Sequence, residues 1–287
     1  MRTEFDEFIQ SDVEKQKGIY IPVKAGLVER FLVRKTAVSN LHANADDEFT
    51  FPTVGPSYKI ISEYMDTIRK NQRLDQPIFD EALIVEKVRP QGYLLLNGHH
   101  RWAAAMKLSV KTVPIKIVNV AQESDIRKML ENSKHDKRVT LDLEEIVFRN
   151  TDDPLTEPVP GIFCKRLQRI RLGIPGLFHY LTKRGYDIWV YADNYYSIDD
   201  IKRLFRRYSV NVDGIITGKK KFEKKQSEAA VNMRKLIANK YKETIHIDNK
   251  MLIHTQRDNS EFTDIKIEGP EERWSANVID IIESIKD

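Results

Sequence analysis

Apolar residues in the first half of the chain fall into short clusters and one stripe of helical period. Clusters rich in β-branched and aromatic residues predict strands over Ile19–Gly26, Phe31–Val38, Ala82–Val88, Tyr93–Gly98 and Thr112–Val120. Apolar residues three and four positions apart predict a helix over Ser57–Asn71, and a second helix is expected directly after Gly98. The third and fourth strands flank a Pro-Gln-Gly turn, so we expect them to form a hairpin.

Strands and helices alternate in the second half, which predicts a parallel, doubly wound sheet. The predicted strands are Val139–Phe148, Asp187–Ala192, Val212–Gly218 and Glu243–Thr255. The helices between them are Pro175–Lys183, Ser197–Tyr208 and Glu228–Tyr241. A charged helix joins the halves and holds the predicted boundary near residue 130, which gives an α/β chain with domains at 18–130 and 137–287.

Composition narrows the class of protein. A length of 287 residues fits two domains, and the 41% hydrophobic content is that of a globular chain. The single cysteine, Cys164, excludes an intrachain disulfide and a cysteine-cluster metal site. The sequence has neither an apolar run of membrane-spanning length nor an apolar signal segment at its start, so we expect a cytoplasmic protein without a membrane partner. The net charge of +4 neither demands nor excludes nucleic acid.

The most informative local sequence is the turn between the Tyr93–Gly98 strand and the helix after it. Gly98 permits a tight turn and a close approach of the backbone to a ligand. The amides that open the helix, together with its dipole, form a site for anions. His99, His100 and Arg101 add donors suited to phosphate oxygens. The alternative is an ordinary strand-to-helix turn.

This segment, YLLLNGHHRWAAAMKLSVKTVPIKIV, resembles the ParB N-terminal/sulfiredoxin superfamily. Gly98, Arg101 and Ala104 occupy the G-x-x-R-x-x-A positions of that family, and Val113-Pro114-Ile115 occupies the V-P-V position that follows. The likeness covers roughly residues 18–120 and implies an α+β first domain that binds nucleotide phosphates. The double histidine is most similar to the branch of ATP- or ADP-dependent free serine kinases, and the turn lacks the cysteine of sulfiredoxin.

The resemblance implies phosphoryl transfer from ATP, ADP or CTP with Mg²⁺, by a small-molecule kinase or an NTPase. The nucleotide would be held by Gly98, His99, His100 and Arg101. Candidate catalytic residues are His100 and Glu48, with Asp46 and Asp47 as rivals to Glu48, although a solvated acidic loop explains these carboxylates equally well. Asn97 stands where the kinase branch has aspartate. The alternative is a non-enzymatic, DNA-associated ParB-like binding or regulatory protein, or a ParB-like nuclease.

Acidic residues mark the ends of two apolar segments in the second half. Asp142 and Glu144 follow one segment, and Asp248 follows another. Ligands of open α/β sheets bind at the carboxyl ends of the strands, and carboxylates suit Mg²⁺. We therefore expect a metal site from Asp142, Glu144 and Asp248 if the two strands are neighbours.

This second half resembles the haloacid dehalogenase (HAD) superfamily over roughly residues 137–260, which implies a Rossmann-like fold. Asp142 takes the nucleophile position of the first motif, and Glu144 takes the general-acid position, where the family has aspartate. Ala192 replaces the serine or threonine of the second motif, and Asn249 replaces one acid of the fourth. These departures favour a non-catalytic HAD-like scaffold over a phosphatase.

Overall fold

The structure is a computed structural model that describes residues 3–16, 19–159, 168–224, 228–257 and 262–285. Cys164 lies outside these residues. The chain forms two compact units, residues 1–120 and 121–287. None of the helices in the described part combines the length and the apolar character needed to cross a membrane.

The first unit is an α+β fold built on a six-stranded mixed sheet. Its strands are β1 (Ile21–Pro22), β2 (Arg34–Ala37), β3 (Leu41–His42), β4 (Leu83–Arg89), β5 (Tyr93–Asn97) and β6 (Thr112–Ile117). Its helices are α1 (Glu4–Gln16), α2 (Leu27–Phe31), α3 (Tyr58–Arg73) and α4 (His99–Lys107). The strands lie in the order β2-β6-β4-β5-β3, with β1 antiparallel to one end of β4.

The predicted hairpin and both predicted helices of this unit are present. Strands β4 and β5 pair antiparallel, and α4 begins at His99, directly after the turn. The sheet contributes the fully buried side chains of Leu83, Leu95 and Ile115 to the core, and α4 contributes the buried side chain of Trp102. The first two strands are much shorter than predicted, because Leu27–Phe31 forms a short helix in which most side chains are exposed.

The second unit contains a six-stranded sheet in the order β11-β10-β7-β12-β13-β14. Its strands are β7 (Lys137–Asp142), β8 (Phe148–Arg149), β9 (Arg169–Ile170), β10 (Tyr186–Ala192), β11 (Gly214–Thr217), β12 (Glu243–Ile247), β13 (Met251–Gln256) and β14 (Phe262–Lys266). Its helices are α5 (Glu123–Asn132), α6 (Ile174–Lys183), α7 (Ile198–Arg207), α8 (Lys219–Lys224), α9 (Glu228–Lys240) and α10 (Trp274–Ser284). Strands β11, β10, β7 and β12 are parallel, whereas β13 and β14 are antiparallel, so the sheet is mixed rather than fully parallel.

Two predicted strands of this unit are corrected. The first ends at Asp142, because the next five residues, Leu143–Val147, form a single π-helical turn. The predicted strand Glu243–Thr255 is a hairpin, since the chain reverses over residues 248–250 and β12 pairs antiparallel with β13. The chain also divides after Val120, whereas the sequence placed the boundary near residue 130; α5 contacts α9 and buries Ile126 within the second unit.

Candidate functional site

The turn at Gly98 has the backbone conformation that its sequence predicts. Gly98 lies in the left-handed region, with φ 98° and ψ 25°, and is the N-cap residue of α4. Gly98 has no side chain and so makes no capping hydrogen bond to this helix. A Cβ placed on Gly98 would come within 2.5 Å of Leu83 Cδ2, so both the dihedral angles and the space require glycine. The first-turn amides of α4 therefore open beside a residue that has no side chain to cover them.

Arg101 places its guanidinium group against this turn. A Cβ on Gly98 would lie 3.1 Å from Arg101 Nη2, which shows how close the guanidinium comes to the glycine. Arg101 Nη1 donates a hydrogen bond of 2.7 Å to the carbonyl oxygen of Glu81, and the guanidinium lies 5.8 Å from the ring centre of Phe79. A fixed guanidinium beside the start of a helix supplies donors in the geometry that phosphate oxygens accept.

His99 is a buried residue in contact with the acidic loop. Its Nδ1 lies 3.5 Å from the Asp47 carboxylate, and its ring lies 5.3 Å from the ring of Phe49. Asp47 is itself buried and accepts a hydrogen bond of 3.0 Å from the Phe49 amide. The pair holds the loop against the start of α4, so the His99 side chain faces the acidic loop.

His100 connects the turn to the start of α3. Its Nε2 accepts a hydrogen bond of 3.1 Å from the backbone amide of Ser57, whose side-chain oxygen accepts from the Ile60 amide. Because Nε2 is an acceptor here, the imidazole is neutral with its proton on Nδ1. The ring also meets the edge of Phe49 at 5.1 Å.

The three acids of the loop differ in exposure. Asp47 is buried beside His99, Asp46 is half-buried, and Glu48 is exposed at the start of a 3₁₀ turn, Glu48–Thr50. Next to this turn lies a pocket of about 190 Å³, and Phe49, Phe51 and Tyr58 contribute to its wall. Phe49 thus lines the pocket and also contacts both histidines of the Gly98 turn.

Asp142 is the last residue of β7 and Glu144 lies in the π-helical turn that follows, so both lie at the carboxyl end of that strand, but their carboxylates make local contacts. Asp142 Oδ1 accepts hydrogen bonds from the amides of Glu144 and Glu145, at 2.8 and 2.9 Å, and so caps the π-helical turn. Glu144 points to the end of β10, where it accepts from the amides of Asp193 and Asn194 and from the Asn194 side chain.

Tyr196 completes this arrangement. Its hydroxyl donates a hydrogen bond of 2.9 Å to Glu144 Oε1. Burial, with the hydrogen bond to the Glu144 carboxylate, raises the pKa of Tyr196 well above its ordinary value, so the phenol stays protonated. Lys220 Nζ lies 2.5 Å from the Asp193 carboxylate at the same edge of the sheet. Four hydrogen bonds from three residues therefore fix the Glu144 carboxylate.

The three acids of the predicted metal site are only partly brought together. Asp248 is an exposed residue of the β12–β13 turn, whereas Glu144 faces the end of β10. Within the described residues, no three His, Cys, Asp or Glu side chains are placed to hold a metal ion together, so Asp142, Glu144 and Asp248 do not form such a cluster, and their role as metal ligands stays a prediction. Strands β7 and β12 are parallel neighbours with Leu141 opposite Ile247, so Asp142 and Asp248 lie at adjacent strand ends, as the prediction required, whereas Glu144 is turned towards β10.

Several contacts of the two sites gave no signal in the sequence. Asp47 is 52 positions from His99, and Ser57 is 43 positions from His100, so no periodicity connects them. Asn194 and Tyr196 follow the apolar strand β10 without a motif that predicts contact with Glu144.

Residues 31–133 match the family model of the ParB N-terminal domain. This span contains the Gly98 turn, the acidic loop and both flanking helices, and it confirms the ParB part of the resemblance. No curated protein matches the chain.

The solved structures that resemble this chain are distant. The C-terminally truncated chromosome-partitioning protein ParB from Caulobacter crescentus, complexed with CTP-gamma-S, is 19% identical with a TM-score of 0.26; the alignment covers 37% of this chain and 56% of that one. A free serine kinase in complex with AMP is 12% identical over 86% of this chain and 94% of its own, with a TM-score of 0.24. A conserved hypothetical protein from Pyrococcus furiosus is 12% identical over 86% and 98%, with a TM-score of 0.25. This chain thus spans little more than half of the ParB structure.

Proposed function

We propose that the first unit binds a nucleoside di- or triphosphate at the Gly98–Arg101 turn and transfers a phosphoryl group from it. The observation that carries this proposal is the left-handed glycine at the start of α4, with the Arg101 guanidinium beside it. The amides of His99, His100 and Arg101 would donate to phosphate oxygens, and the helix dipole would favour the negative charge. The match of residues 31–133 to the ParB N-terminal domain supports this reading.

Phosphoryl transfer requires an acceptor and a group that takes its proton. The pocket lined by Phe49, Phe51 and Tyr58 has the size for a small acceptor and lies next to the turn through Phe49. Glu48 is the exposed carboxylate of that loop, which makes it the best candidate base. His100, neutral and held by the Ser57 amide, would position the phosphates at the edge of the pocket. We therefore favour an ATP- or ADP-dependent small-molecule kinase, with an NTPase as the variant that uses water.

Mg²⁺ fits this unit as an ion that arrives with the nucleotide. Magnesium in such sites is held by one or two carboxylates together with the phosphates of the substrate, so a three-carboxylate cluster is not needed. The exposed Glu48 carboxylate and the half-buried Asp46 carboxylate are the donors that the loop offers. The ion would neutralise charge on the phosphates.

Titration calorimetry tests the binding step. ATP, ADP and CTP are titrated into the wild-type chain and into Arg101→Ala, with Arg69→Ala as a matched control that removes an exposed arginine from α3 of the same unit. Loss of a charge-assisted hydrogen bond should weaken nucleotide binding about 10- to 100-fold in Arg101→Ala. The control should bind as the wild type does. Equal affinities in all three proteins would contradict the proposed site.

Turnover separates the kinase from the alternatives. ATP or ADP consumption that depends on serine or another hydroxyl acceptor, and that falls in Glu48→Gln, is expected of a kinase. Consumption without an acceptor indicates an NTPase. The ParB family match also supports a DNA-associated binding protein, for which DNA affinity would fall steeply with salt concentration and no nucleotide would be consumed.

For the second unit we propose a HAD-type scaffold without phosphatase activity. The hydrogen bonds that Glu144 accepts from Asp193, Asn194 and Tyr196 support this reading, because a general acid must be able to reach its substrate. An assay with a chromogenic phosphomonoester and Mg²⁺ should detect no hydrolysis. Hydrolysis that disappears in Asp142→Asn would instead establish a phosphatase with Asp142 as nucleophile.

A further inference from the structure

Two arginines of the second unit share one carboxylate. Arg149 ends β8, and Arg171 follows β9, the strand that pairs with it. Arg149 Nη2 donates a hydrogen bond of 2.6 Å to Glu271 Oε1, and Arg171 Nη2 donates one of 3.1 Å to the same oxygen. The Arg171 side chain is only 5% exposed, whereas that of Glu271 is 53% exposed. A buried guanidinium is thus paired with an acid that lies mostly in solvent.

Arg171 is held firmly in place, yet its charge is incompletely balanced. Nη1 donates a hydrogen bond of 2.7 Å to Asn249 Oδ1, and the guanidinium carbon lies 4.0 Å from the ring centre of Trp274. Its Nε is buried and has no hydrogen-bond partner among the described residues. Burial, with repulsion from Arg149, lowers the pKa of Arg171 to about 10, so the carboxylates nearby do not make up for the desolvation of this group.

The pair opens into a pocket of about 750 Å³ with an excess of positive charge. The charged side chains that line it are Arg149, Arg171, Lys250, Lys266, Glu268 and Glu271, which gives four cations and two carboxylates. The two lysines lie at the same end of a hairpin, since Lys250 precedes β13 and Lys266 pairs with Met251. Asp153 does not line the pocket and lies 3.8 Å from Arg149 Nε. The lining carries a net charge of +2 with Glu271 in place and +3 without it, which favours a multiply charged anion.

We propose that this pocket binds the phosphoryl dianion of a small molecule, and that Glu271 takes the place of that group when the pocket is empty. Guanidinium groups in a fixed arrangement recognise phosphate through paired hydrogen bonds, and a phosphomonoester carries close to two negative charges at neutral pH. Glu271 supplies only one charge to two arginines and belongs to the exposed 3₁₀ turn Glu271–Arg273, from which its side chain can swing into solvent. The lysines would meet the remaining charge. This site is independent of the nucleotide site proposed above.

The test is calorimetric titration of the full-length chain with inorganic phosphate at pH 8 and constant ionic strength. All variants carry Arg101→Ala, so that phosphate bound at the Gly98 turn does not obscure the result. Glu271→Gln removes the internal anion and should tighten phosphate binding about tenfold. The double variant Lys250→Ala/Lys266→Ala removes two exposed charges and should weaken it about tenfold. Lys183→Ala, an exposed lysine outside the pocket, should leave the affinity unchanged.

Parallel titrations identify the ligand. Binding of glycerol 3-phosphate with the same response to the variants supports the proposal and identifies a phosphomonoester, while binding of inorganic phosphate alone supports it with free phosphate as the ligand. Acetate binding as tight as phosphate binding would overturn the dianion assignment. The proposed site would be overturned if folded Glu271→Gln binds phosphate with unchanged or weaker affinity. It would also be overturned if the double-lysine variant and Lys183→Ala bind phosphate with equal affinity. Because the two lysines are exposed, the titration of the double-lysine variant remains informative even if Glu271→Gln destabilises the fold.

Discussion

Replacing Gly98 with alanine adds only one methyl group but should destabilise the first unit strongly. The left-handed conformation of this residue, φ 98°, costs an alanine about 1–2 kcal/mol. The new Cβ would also lie 2.5 Å from Leu83 Cδ2, and Leu83 is fully buried, so its side chain cannot move into solvent. Overpacking of this kind adds about 1–3 kcal/mol. The lower conformational entropy of the unfolded alanine chain offsets about 0.4–1 kcal/mol, which leaves a net loss of about 1–5 kcal/mol.

Native-state hydrogen exchange is the appropriate assay, because a chain of two units need not unfold in a single transition. Amides of β5 and α4 report the opening free energy of the first unit in wild type and Gly98→Ala. Gly176→Ala is the matched control: this glycine lies within α6, a Cβ there would meet nothing within 4 Å, and alanine should stabilise that helix by about 0.5–1 kcal/mol. A Gly98→Ala protein whose first unit opens within about 0.5 kcal/mol of the wild-type value would refute this account of the turn.

Two further predictions concern the second unit. Glu144→Ala should lower the opening free energy of the loop at residues 193–196 by about 1–3 kcal/mol, because two backbone amides and the Tyr196 hydroxyl lose their acceptor. Hydrogen exchange should show no such loss in the control variant Glu145→Ala. Equal protection of this loop in both variants would contradict the role given to Glu144. Burial lowers the pKa of His246, and the positive charge of Lys219 lowers it further. Because the folded state resists protonation of this imidazole, the second unit should lose stability as the pH falls below about 6.5, the ordinary pKa of histidine. Between pH 7.5 and 5, the urea unfolding midpoint of His246→Gln should depend less on pH than the midpoint of wild type or of the control His179→Gln, which replaces an exposed histidine. If the pH dependence of the midpoint is unchanged in His246→Gln, then His246 is not the source of that dependence.

The sequence predicted best those elements whose apolar segment is bounded by a glycine or proline turn. Strands β4 and β5 flank a Pro-Gln-Gly turn, and α4 follows a glycine, so both the type and the bounds of these elements could be read from the sequence. The β12–β13 hairpin was missed because its turn, Asp248-Asn249-Lys250, has neither glycine nor proline. The π-helical turn after Asp142 was missed because Leu143, Ile146 and Val147 resemble a continuation of the apolar strand, and because the capping bonds of the Asp142 side chain leave no sequence signal.

The candidate sites divide in the same way. The Gly98 turn was predictable because a single glycine carries the whole backbone requirement. Contacts between residues distant in the chain were not: nothing in the sequence placed Asp47 beside His99, or Arg171 beside Glu271, 100 positions away. Spacing along the chain likewise did not show that the Glu144 side chain is turned towards Asn194.

The most direct test of the central claim is the response of individual backbone amides to a nucleotide. In an ¹⁵N-labelled protein, ADP should shift the amide resonances of His99, His100 and Arg101 strongly, because phosphate oxygens would accept their hydrogen bonds. Adenosine, which has no phosphate, should leave these three resonances in place. Shifts with ADP that spare residues 99–101, or equal shifts with adenosine, would contradict the claim that this turn holds the phosphates.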